Sequence, residues 1–210
     1  MTRAIFLGTF NPPHNGHINC VKSVIRSGIL SKLNIEKIHI IPCYQNPNKN
    51  FGIPFRHRYN MCVREFKGLL SNMCLIDDVE ETLQPKYTFS LLEYFHSNSD
   101  EYIKDGFWWI ITVETYKELL DNKWKNSEDL LMNNNFIIVV PEDVSNEEYE
   151  SLKHTKYYDE NRCQFVDLIN DPIASKHSTQ LREMIKNGES VYSYINLSTQ
   201  DYIKQNNLYK

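Results

Sequence analysis

Two histidines, His14 and His17, lie in the segment Gly8-Thr9-Phe10-Asn11-Pro12-Pro13-His14-Asn15-Gly16-His17, and each part of that segment has a physical use. Gly8 lets the backbone turn tightly and approach a ligand with no Cβ in the way. Thr9 and Phe10 then offer backbone N–H groups, and two prolines stiffen the loop. A helical pattern starts at Asn15, so His14 and His17 straddle a helix start and can face one point. That point also receives the helix's positive dipole end and its free N–H groups. Two imidazoles converging there suit a polyphosphate. The plainer alternative is that they cap the helix or sit on its surface, which H-x-x-H alone favours.

A second candidate lies near the other end. Ser178 and Thr179 precede an amphipathic pattern of Leu181, Met184 and Ile185. Hydroxyls and free N–H groups at a helix start bind phosphate, and Arg182, one turn on, can fork onto its oxygens. An ordinary cap with a solvated arginine is the competing explanation.

These candidates need elements to hold them. Apolar runs at 3–7, 36–42, 107–112, 136–140 and 163–168, and a weaker one at 73–78, read as strands. Helical spacing runs from Asn15 to about Gly28, then over 55–71, 87–97, 178–188 and 199–206. Residues 43–54 read as a loop, and the polar stretch 141–160 as the mobile or divergent region. Strands alternating with helices specify an α/β fold, a parallel sheet with helices on both faces, as one domain over 1–210. Ligands in such folds sit beyond the carboxyl ends of the strands where the chain order reverses, which directs attention to Gly8.

Composition narrows the classes. Hydrophobic residues make up 41% and charged ones 24%, enough for a core and against wholesale disorder. A net charge of −4 argues against broad binding of nucleic acid or anionic membrane. No apolar run reaches the roughly 18–20 residues that cross a bilayer. The five cysteines contain no C-x-x-C pair, which suits a cytoplasmic chain with reduced thiols and no zinc site.

Taken together, strand, Gly8-Thr9, Pro12-Pro13 and His14-Asn15-Gly16-His17 resemble the opening of the H-x-G-H nucleotidyltransferase superfamily. Within it the chain looks most like the nicotinate mononucleotide adenylyltransferases, with Leu7 for a usual Gly and Asn11 for a usual Asp. Asn46-Pro47-Asn48-Lys49, Arg58-Tyr59-Asn60-Met61, Tyr87-Thr88 through Leu92, and His177-Ser178-Thr179-Gln180-Leu181-Arg182 continue the resemblance in order. It implies a Rossmann-like nucleotidyltransferase fold and adenylyl transfer from ATP to nicotinate mononucleotide in NAD biosynthesis. His14, His17 and Arg182 would be catalytic. Gly8, Thr9, Phe10, Ser178 and Thr179 would join them around ATP. Lys49, Arg58, Tyr87, Thr88, Glu114 and Trp124 would hold the mononucleotide, Trp124 by stacking on its pyridine ring. Mg²⁺ would ride mainly on the ATP phosphates, since the sequence clusters no carboxylates for a protein cage.

Thr112-Val113-Glu114 departs from the family's Gly-Ala-Asp: Glu114 keeps the carboxylate on a longer arm, and Thr112 adds a side chain. The rivals are transfer to nicotinamide mononucleotide, transfer to phosphopantetheine, a cytidylyltransferase, and a nucleotide-binding homologue without chemistry. His14 and the length of 210 residues count against phosphopantetheine. The Arg-Thr-x-Gly-Ile-Ser-Thr-Thr type of motif of cytidylyltransferases is not found. Homo-oligomerisation stays open.

Overall fold

The most apolar runs become interior strands. In the computed structural model, which describes residues 2–45, 52–70, 73–98, 106–169 and 177–210, β4 (Phe107–Thr112) and β5 (Asn135–Val140) are almost wholly buried. Continuous burial of this kind marks strands covered on both faces. With β1 (Thr2–Gly8), β2 (Ile35–Pro42), β3 (Cys74–Ile76) and β6 (Cys163–Asp167) they form one six-stranded sheet in the order β3-β2-β1-β4-β5-β6. β1 runs parallel to β4 with Ile5 beside Trp109, β4 parallel to β5 with Ile110 beside Ile137, and β5 parallel to β6 with Ile138 beside Phe165. This is a doubly wound order whose direction reverses at β1, which puts Gly8 at the switch point.

Ten helices accompany the strands among the described residues, the last two following β6. They are α1 (Asn15–Arg26), α2 (Ile29–Lys32), α3 (Phe55–Glu65), α4 (Val79–Leu83), α5 (Thr88–Ser97), α6 (Val113–Leu120), α7 (Ser127–Asn133), α8 (Asn146–Lys153), α9 (Ser178–Lys186) and α10 (Leu197–Gln205). The expected strands hold to within two residues. The helix expected over 55–71 stops at Glu65, where Phe66 turns in as a buried C-cap. The polar stretch 141–160 contains a helix, because Ser145 accepts from Glu148 N at 3.2 Å and starts α8. Its helical period is faint because Leu152 is the one residue α8 buries. No described helix is long and apolar enough to cross a membrane.

The chain gathers into two compact units, each woven from three stretches. Met1–Phe6, Cys20–Ile38 and Thr88–Asn170 make the first, and the aromatic core of this unit includes Trp109, Tyr116 and Phe136. Leu7–Asn19, His39–Tyr87 and Asp171–Lys210 make the second, with a core of Met61, Leu181, Val191, Ile195, Ile203 and Leu208.

Candidate active site

In the second unit the chain leaves β1 and folds Phe10 back over Gly8. A Cβ at residue 8 would stand 2.7 Å from the Phe10 ring, so the glycine makes room for this aromatic side chain rather than only for a ligand. Phe10 is 1% exposed, adopts φ 49, and packs edge-on against Phe66 and His17. A bulky residue in the left-handed region is costly and persists where its surroundings over-determine it. Here the packing of the ring supplies that constraint.

His14 and His17 do meet, with ring centroids 3.9 Å apart. Each Nδ1 accepts a main-chain hydrogen bond: His14 N donates to His17 Nδ1 at 3.2 Å, and Gly16 N donates to His14 Nδ1 at 3.1 Å. The capping alternative therefore holds, but on one nitrogen of each ring. With Nδ1 accepting, the neutral imidazole carries its proton on Nε2, which makes Nε2–H a donor. The expectation of free N–H groups at the start of α1 is corrected. Gly16 N is taken by His14 Nδ1, Asn15 N donates to Tyr194 O, and His17 N and Ile18 N donate to His14 O. The imidazoles and the C-terminal segment satisfy the donors that a bare helix start would present.

Burial, and then the nearby His177, lower the pKa of His14 to about 4. Burial first, then His14, then His177, hold His17 well below an ordinary histidine. At neutral pH both rings are thus neutral donors rather than cations. His177 belongs to the C-terminal motif, and its own stretch of sequence gives no sign of a place beside the histidine pair. Only folding reveals that it lies near both rings.

The C-terminal motif docks on the same loop. Ser178 Oγ donates to Pro12 O at 2.9 Å, and Arg182 donates to Asn11 O at 2.8 Å and to Thr179 Oγ1 at 3.1 Å. Segments about 170 positions apart in the chain are thereby brought to one place, and Thr179 is exposed there. His177 N donates to Gln180 Oε1, closing the first turn of α9.

Arg58 was expected at the mononucleotide, with a helix-surface ion pair as the alternative. It does not lie on the helix surface. It is 0% exposed, and it donates to Thr9 O at 2.9 Å, Tyr44 O at 3.0 Å and Ile53 O at 3.4 Å. It ties the loop after β1 to the loop after β2. The partner that sequence inspection missed is Glu80, a buried carboxylate that accepts from Tyr44 N at 2.5 Å. Burial raises Glu80 to about 7, while the Tyr44 N–H and Arg58 oppose that rise. A glutamate in Val79-Glu80-Glu81 gives no sequence signal of this role. Tyr87 is half-buried beneath the Lys86 ammonium, 5.5 Å from its ring centre. Lys49 and Asn48 lie outside the described residues.

The remaining expected residues belong to the first unit. Thr88 opens α5. Glu114 is exposed in the first turn of α6 beyond the end of β4, and Thr112 caps that helix, its Oγ1 accepting from Thr115 N at 3.4 Å. The threonine in place of glycine therefore has a structural use. Trp124 is half-buried between α6 and α7, edge-on to Trp109, with its indole N–H donating to Glu118 at 2.8 Å.

A parallel sheet of this order, with H-x-G-H at the end of its first strand and a Ser-Thr-x-x-Arg helix docked on that loop, defines a nucleotidyltransferase. The chain belongs to the cytidylyltransferase-like family, whose model matches residues 5–184. Among curated relatives, a protein of Clostridium botulinum strain Okra is 29% identical with all of both chains covered. One from Clostridium tetani is 27% identical over 99% of this chain and 98% of its own. Both are named "Probable nicotinate-nucleotide adenylyltransferase". The fold is shared with the nicotinic acid mononucleotide adenylyltransferase of Plasmodium falciparum. Its complex with NaAD superposes with a TM-score of 0.75 at 22% identity, covering 99% of this chain and 97% of that one. Its complex with APC gives 0.72 at 21% identity, with 99% and 96% covered.

Proposed function

We propose that this protein transfers the adenylyl group of ATP to nicotinate mononucleotide, forming nicotinate adenine dinucleotide and pyrophosphate. The observation that carries the proposal is the meeting, in one unit, of two Nε2–H imidazoles with Arg182 on the loop after β1. The names of the curated relatives and the ligand of the Plasmodium protein supply the choice of acceptor.

A phosphate oxygen of the mononucleotide attacks the α-phosphorus of ATP in line. The new P–O bond forms as the bond to the β-phosphate oxygen breaks, and pyrophosphate leaves. No side-chain nucleophile takes part, so catalysis consists of positioning and of stabilising charge on the phosphates. His14 and His17 donate from Nε2, and a bound polyphosphate raises their pKa values by its negative charge. Arg182 supplies the permanent cation, and Ser178, Thr179 and the main chain around Thr9 and Phe10 complete the nucleotide contacts. The support for giving Lys49, Tyr87, Thr88, Glu114 and Trp124 to the mononucleotide is the family resemblance of their motifs. Arg58 acts from behind by holding Thr9. Mg²⁺ carried on the ATP phosphate oxygens would neutralise part of their charge.

Pyrophosphate release with ATP and a panel of acceptors tests this. The expected result is a kcat/KM for nicotinate mononucleotide above that for nicotinamide mononucleotide by at least about 10²-fold, with phosphopantetheine inert. A preference for the amide would overturn the choice of acceptor. Release with no acceptor would overturn adenylyl transfer itself.

A further inference from the structure

Tyr209 reaches back 198 positions to the loop after β1, where its hydroxyl donates to Asn11 Oδ1 at 2.7 Å. Here Leu208 is 7% exposed within the core of the second unit, and Tyr209 packs against that core with φ 65. A tyrosine held in the left-handed region is an outlier that its surroundings must enforce. Its hydroxyl is also 3.9 Å from Met61 Sδ, and both Arg58 and Arg182 act on it electrostatically. Asn11 is 4% exposed, and its own carbonyl receives Arg182 at 2.8 Å. Asn11 is thus gripped through its side chain by Tyr209 and through its backbone by Arg182.

We propose that Tyr209 is a positioning residue for the nucleotide: by fixing Asn11 it fixes the carbonyl that aims the Arg182 guanidinium. The proposal rests on the ATP-binding half of the function proposed above. An arginine side chain has many rotamers, and its value to a phosphate lies in the orientation of its planar fork. A loop that lets the fork drift by about an ångström loses much of the benefit of prior alignment. A tether that served stability alone would leave nucleotide affinity and kcat untouched at temperatures where the protein is folded.

The test uses the full chain as Tyr209→Phe, Asn11→Leu, Asn11→Asp and the double variant Tyr209→Phe/Asn11→Leu. Each is assayed for calorimetric binding of an ATP analogue with a methylene bridge between its α and β phosphorus atoms, for pyrophosphate release, and for thermal midpoint. Tyr209→Phe keeps the ring in the core and removes one hydrogen bond. The expected result is analogue binding weaker by about fivefold and kcat lower by about tenfold, measured well below the midpoint. Asn11→Asp, which retains an acceptor, should keep most of what Asn11→Leu loses. The double variant should lose no more than the worse single one, as coupled partners do. Wild-type affinity and kcat in Tyr209→Phe, or losses that simply add, would overturn the proposal. If the wild type binds the analogue but transfers to no acceptor, adenylyl transfer fails while the affinity ratio still decides Tyr209. A wild type that binds no nucleotide overturns both.

Discussion

Around Gly8–His17, nearly every group able to carry chemistry is also tied to the chain. Both imidazoles cap main-chain donors, Arg58 and Arg182 hold carbonyls of Thr9 and Asn11, and Ser178 holds Pro12. Around Thr112–Trp124 the corresponding groups are loosely committed. Glu114 is exposed, and Trp124 is half-buried with a single hydrogen bond from its indole to Glu118. The difference teaches how the two halves of such a reaction can be served. The phosphates need a rigid, pre-aligned frame, because charge develops there in the transition state. The acceptor's ring needs a surface to lie on, and a side chain with few tethers can adjust to it. Substitutions near the first region should therefore cost catalysis and stability together, and those near the second should cost acceptor binding alone.

The largest effect is expected at His17. His17→Ala removes the Nε2–H donor, for which kcat should fall by about 10²–10³-fold. It also removes the Nδ1 acceptor of His14 N, so the thermal midpoint should fall by about 2–4 °C, as for a lost cap near 1 kcal/mol. Steady-state kinetics and calorimetry on one preparation check both. An unchanged midpoint would mean that the imidazole is not part of the frame, and a kcat above half of wild type would remove it from catalysis.

Glu80 sharpens the same contrast through pH. Its folded pKa is raised to about 7 from an ordinary 4.5, so between these values the folded chain holds a proton that the unfolded chain has released. Its contribution to stability therefore falls as pH rises through that window, by up to ~3 kcal/mol. Glu80→Gln cannot ionise. The stability of this variant relative to wild type should climb from pH 4.5 to about 7 and then level off. Chemical denaturation at a series of pH values measures it, and a flat difference would show that Glu80 is not held in its neutral form.

The smallest expected effect lies in the looser region. Trp124→Ala should raise the KM for the mononucleotide by about tenfold, the scale of one lost aromatic contact, and leave the KM for ATP within about twofold. Should the ATP term move instead, the division of labour between the two regions is wrong.

The residue pattern by itself determined the α/β class, because the strands are short apolar runs bounded by turn residues and their alternation with helical spacing survives any detail of packing. It also determined the convergence of His14 and His17, a local matter of spacing at a helix start. The tertiary structure alone decided what the charged and polar side chains do. Arg58 and Glu80 look like surface residues of polar segments, yet both are buried on backbone groups of two loops. Tyr209 and Asn11, at opposite ends of the chain, share a hydrogen bond. Secondary structure follows from neighbours a few residues apart, whereas the partner of a buried charge is chosen by whichever distant segment folding brings within 3 Å, and nothing in its own stretch of sequence records that choice.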